Sequence, residues 1–128
     1  MTIHEPATLL TDYLLAFLGG CLAWRLQLRM ESDHPAARWW IRALLAMSVS
    51  ALVGGSYHGF APNFAPQFVA AWWRFVLILV CGIGLCMGVS LIREIVPLKR
   101  QRGWNRLLVA KFMLSVAVVL IHPKFLVA

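Results

Sequence analysis

Isolated ionisable side chains are few in this chain, and their types and spacing are suited to chemistry. Glu5, Thr8 and Asp12 follow a spacing that places all three on one face of a helix. Ser56 and His58 stand two residues apart, Arg74 lies alone in an apolar run, and His122 comes close to the end. Two histidines with one or two carboxylates form a nitrogen and oxygen donor set that suits zinc, and zinc with an open position activates water. In that chemistry Asp12, His58 and His122 are the candidate metal ligands and Ser56 the candidate catalytic hydroxyl, with Glu5 and Arg74 completing a polar site. His58 and His122 on two helices could instead hold a haem between them as axial ligands. A third reading needs no cofactor: Asp12 pairs with Arg74 as a structural salt bridge, and the chain is a structural or partner subunit. Ligands drawn from separate helices carry no diagnostic spacing, so all three readings depend on the elements that bring these residues together.

Those elements are apolar. The chain has 128 residues, of which 61% are hydrophobic and 13% charged, against about 25% charged in an average soluble domain. Disorder needs low hydrophobicity and is excluded. A soluble globule needs enough polar surface to cover its core, and here the polar residues are gathered into short stretches. Four apolar runs, 7–28, 39–60, 68–92 and 107–122, predict an all-α integral membrane bundle forming a single domain. From 107 to 121 the fourth covers only about 22 Å, so it needs tilt, local thinning or continuation toward the end. Between the second and third runs, APNFAPQ reads as a charge-free proline turn, and MESDHPAA between the first two as a loop with Ser32, Asp33 and Pro35 as cap residues.

Charge sets the orientation. Nine of the twelve Lys and Arg residues fall in two patches, Arg25, Arg29, Arg38 and Arg42, then Arg93, Lys99, Arg100, Arg102 and Arg106. Both patches flank apolar runs, as cytoplasmic loops do under the positive-inside rule. The loops 29–38 and 93–106 are therefore expected in the cytoplasm, with both termini and the Pro62 turn outside a bacterial-type inner membrane. The polar residues then gather at the outer ends of the helices. Trp39, Trp40, Trp72, Trp73 and Trp104 match an interfacial aromatic belt. No nucleic-acid-reading fold surrounds the basic patches, so the partners expected are membrane lipid and other membrane chains.

Other polar or small residues have plain explanations. Cys21, Cys81 and Cys86 lie in apolar runs with no CxxC spacing, which argues against a disulfide framework or a thiolate zinc site. Lys111 can snorkel to the cytoplasmic interface. Gly54 and Gly55 permit close approach of a neighbouring helix, and Gly84 with Gly88 forms a GxxxG face for packing within the bundle or between protomers. His4 and His34 read as solvated loop residues. No cleavable signal peptide is evident.

Glu5-Pro6, Thr11-Asp12-Tyr13 and the run Gly54-Gly55-Ser56-Tyr57-His58-Gly59-Phe60 together resemble a family of bacterial multi-spanning proteins. Distantly, and over the first half of the chain, the pattern also resembles the CREST membrane hydrolases, the alkaline ceramidase-like and adiponectin-receptor-like proteins. That resemblance implies zinc-dependent hydrolysis of an amide or ester in a lipid-like substrate, with Ser56 and His58 in the corresponding places of the second span. CREST proteins have seven helices and a paired-histidine motif in the last, which four apolar runs do not provide. The apolar ending Lys124-Phe125-Leu126-Val127-Ala128 fits a fragment of a seven-helix protein, a shortened relative or a complete small protein alike.

Overall fold

The structure, a computed structural model, describes residues 2–30 and 34–121. Four α-helices account for nearly all of them: α1 (Pro6–Arg29), α2 (Pro35–Phe60), α3 (Pro66–Ile95) and α4 (Leu98–Ile121), with one 3₁₀ turn at Ala61–Asn63. Proline opens α1, α2 and α3. Its ring presets the helical φ, and its missing N–H costs nothing where that donor has no intrahelical partner. Each of the four is long and apolar enough to cross a membrane.

The fourth helix begins at Leu98 rather than at 107. Residues 98–106, expected as part of a basic loop, form its first turns. Hydropathy locates only the segment that enters hydrocarbon, whereas Leu, Lys, Arg and Gln are strong helix formers on either side of that boundary. Only Val96 and Pro97 separate α3 from α4, and Gln101 Nε2 donates to the Val96 carbonyl at 2.8 Å across the turn. Ser32 and Asp33, expected as cap residues, lie outside the described residues.

Consecutive helices run antiparallel. The His4 N–H, just before α1, donates to the Gly59 carbonyl near the end of α2 at 3.1 Å. Ser90 near the end of α3 donates to the carbonyl of Ala36 at the start of α2 at 2.8 Å, and Gly88 of α3 meets Leu108 of α4. The helices pack in chain order, α1 and α3 flanking α2, and α4 lying against α3.

Packing is inverted relative to a soluble protein. The buried apolar residues are mainly alanines, Ala16, Ala23, Ala36, Ala43, Ala51 and Ala61, while Phe17 is 70% exposed and Ile121 72%. Small residues at the contacts and large ones outside are the arrangement expected where lipid covers the outer surface. Hydroxyls and one indole join the helices by bonding to main-chain carbonyls, Ser48 to Ala16, Ser90 to Ala36 and Trp72 to Val53. At Gly55 the approach of α1 is closest. A Cβ there would lie 2.7 Å from Asp12 Cβ and 3.2 Å from Tyr13 Cδ1.

Candidate functional site

The antiparallel pairing carries Glu5, just before α1, and Asp12 of α1 to the end of α2 that holds His58. Glu5 precedes Pro6, where α1 starts, and His58 lies in the last turn of α2. His58 Nδ1 and Glu5 Oε2 are 2.9 Å apart. With a carboxylate accepting from Nδ1–H, the imidazole is held through one nitrogen and Nε2 is left for another partner. The segment carrying Glu5 is strapped over the 3₁₀ turn. Asn63 Nδ2 donates to the Thr2 carbonyl at 2.9 Å, while the Thr2 N–H donates back to Asn63 Oδ1 at 3.3 Å.

Aromatic rings enclose the imidazole. Its ring meets Tyr57 at 5.7 Å and Trp73 at 6.1 Å, both nearly edge-on, and Tyr57 itself lies 4.8 Å from Trp73. Such contacts are favourable for aromatic quadrupoles and restrict the rotation of each ring. Beyond them, Phe64, Phe68 and Trp72 form a second aromatic group at the α2–α3 turn.

Two hollows share His58 as a wall. The larger, about 580 Å³, opens at the helix ends and is lined by His4, Glu5, Tyr57, His58, Phe64 and Val69 among others. The smaller, about 270 Å³, lies between α1, α2 and α3 and includes Asp12, Ser50, Gly54, Trp73 and Val76. The structure therefore brings Glu5, Asp12 and His58 to one region. Arg74 is not part of their ion pairing. Among the described residues the ion pair joins Glu5 to His58, and none joins Asp12 to Arg74. Asp12 is held against Gly55 at the α1–α2 contact. Arg74 is half-buried on α3, and among the described residues its Nε is buried without a hydrogen-bond partner.

Ser56 has its hydroxyl committed. Its Oγ donates to the Leu52 carbonyl at 2.8 Å and lies 2.9 Å from the Tyr13 hydroxyl, which is then the donor to it. His122 lies outside the described residues, and so does its expected part in a zinc or haem site. Among the described residues no three His, Cys, Asp or Glu side chains come together to hold a metal ion.

Several residues of the site were not singled out by their spacing. His4, expected as a solvated loop residue, lines the larger hollow. Trp72 and Trp73, expected in an aromatic belt, pack against the end of α2, and Trp72 Nε1 donates to Val53 at 3.2 Å. The signal that could have found them is the density of aromatic residues on both sides of the proline turn.

Four spans, a core of small residues and a polar cluster at one end define a polytopic protein of the membrane-spanning class. The chain belongs to a family of unknown function (DUF6962), whose pattern matches residues 7–128. No curated protein and no solved structure matches it.

Proposed function

We propose that this chain is a four-span protein of a cytoplasmic membrane and acts as a ligand-binding partner subunit. In this reading its basic end faces the cytoplasm and both termini lie outside. The observation that carries the proposal is the Glu5–His58 contact at the wall of the larger hollow. Glu5 fixes the imidazole through Nδ1, so Nε2 is free to hydrogen-bond the polar head of an amphiphile. Phe64, Pro66, Val69 and Ala70 supply an apolar wall for its body. Binding is favoured over acyl transfer because the Ser56 proton is held by a main-chain carbonyl. Small molecules extracted from detergent-purified protein and from the His58→Gln variant test the idea by mass spectrometry. An amphiphile carried by the parent chain and lost from the variant supports it. Identical extracts reject it.

A second reading has one observation in its favour. Asp12 and His58 line the same smaller hollow, as two ligands of a zinc-dependent hydrolase would. Near-stoichiometric zinc lost on His58→Ala would support it, and zinc-free protein from zinc-rich medium would count against it. Stoichiometric iron in the same elemental analysis would favour haem.

A further inference from the structure

The opposite end of the molecule brings two like charges to a single ring. Trp39 lies in the second turn of α2. The Arg42 Cζ sits 4.5 Å from its ring centroid, and the Arg93 Cζ, from the last turn of α3, sits 5.9 Å from it. The helices that carry them are locked close by. Fully buried Ser90 donates to the Ala36 carbonyl at 2.8 Å, one turn from Trp39 on α2 and one turn from Arg93 on α3. The indole attracts each guanidinium through its π face, but it is neutral and does not itself compensate either charge. Among the described residues neither arginine has a carboxylate within ion-pair distance. Both are exposed, so the guanidinium donors that the ring does not cover are open to a ligand.

We propose that Arg42 and Arg93, stacked on Trp39, form a clamp for a phosphate group, supplied by the headgroup of an anionic phospholipid. Paired planar guanidinium groups match the oxygens of a phosphate in a way that a single flexible ammonium does not. Two cations at one ring, with no carboxylate within ion-pair distance among the described residues, favour an anion that completes the site. Arg25, Arg29, Lys99, Arg100 and Arg102 lie at the same end of the molecule and raise the local concentration of anionic lipid without selecting a position. The position is selected by the indole, a ring that favours the headgroup level of a bilayer.

The test counts lipids retained on the purified full chain by native mass spectrometry, after reconstitution with phosphatidylglycerol or phosphatidylcholine of the same acyl chains. The Arg42→Gln/Arg93→Gln pair should retain phosphatidylglycerol about tenfold less well than the parent chain. An Arg100→Gln/Arg102→Gln pair, with the same loss of charge, should change it by less than about twofold. Equal losses in the two pairs, or equal retention of the two lipids by the parent chain, would overturn the clamp. Displacement of lipid by millimolar inorganic phosphate would make the free ion a sufficient ligand. Absence of displacement, with the loss confined to the Arg42/Arg93 pair, would assign the phosphate to the lipid. Both results support the phosphate chemistry. Should the glutamine pair fail to fold, as judged by its helical circular dichroism, Arg42→Lys/Arg93→Lys decides. Reduced retention with charge preserved supports the stacked clamp, and undiminished retention overturns it.

Discussion

Glu5 and His58 meet across 53 residues of chain, and the contact is partly open to water, with side-chain exposures of 55% and 33%. A pair so exposed contributes little to stability, about 0–1 kcal/mol. Glu5→Gln should therefore lower unfolding free energy by less than about 1 kcal/mol while depleting the bound amphiphile, measured by detergent unfolding and by extraction of the same samples. A large stability loss would instead assign the pair a structural role. Ser56→Ala should behave in the opposite way. It removes the bonds to Leu52 and Tyr13, costing on the order of 1 kcal/mol, and it should leave the extracted ligand unchanged. Loss of ligand without loss of stability would return Ser56 to the site. Glu5, Asp12 and His58 were legible as a polar group at one end because spans alternate in direction. The partner of each was not. Asp12 and Arg74 are opposite charges at the same end, yet Asp12 is turned toward Gly55 and no ion pair joins the two among the described residues, because hydropathy does not encode helix rotation.

Rotation also separates glycines that look alike in sequence. Gly55 faces backbone and Cβ atoms of α1, whereas the groups nearest a Cβ on Gly88 are the methyls of Leu108, and one on Gly84 would meet nothing within 4 Å. Gly55→Ala should force α1 and α2 apart at a cost of about 1–3 kcal/mol. Gly88→Ala should cost less, because Leu108 can turn its side chain away, and Gly84→Ala should stay within about 0.5 kcal/mol of the parent. Unfolding in mixed micelles ranks the three, and a Gly84 cost equal to that of Gly55 would contradict the packing described. Gly84 lines a hollow between α3 and α4 with Leu108, Lys111 and Phe112, and the self-association expected from its GxxxG spacing is tested by the oligomeric state of Gly84→Leu in detergent. Of the three helices that open on proline, only α2 had a start legible from its proline, Pro35; Pro66, expected inside a turn, opens α3, and the start of α4 was hidden because its first turns are too basic to register as a span.

Across the whole molecule the two ends differ in chemical character. One carries the arginine and lysine patches with Trp39, and the other carries Glu5, His58 and the aromatic residues around the proline turn. An orientation with the basic end inside predicts that alkaline phosphatase fused after Asn63 is active and that a fusion after Gln101 is inactive. The reverse pattern would invert the proposed topology and place the Glu5–His58 site inside. The four-span architecture was legible because lipid demands long apolar helices. Which helix touches which was not, since every span exposes an apolar surface to its surroundings. The contacts run in chain order, and that has a consequence for how the protein is made. Each span finds its main partner in the one synthesised immediately before it. The α1–α2 hairpin, with Glu5 already beside His58, can close while α3 is still emerging from the ribosome. Helix α4 docks last and mainly against α3, so chains halted after Ile95 should already possess the Glu5–His58 contact.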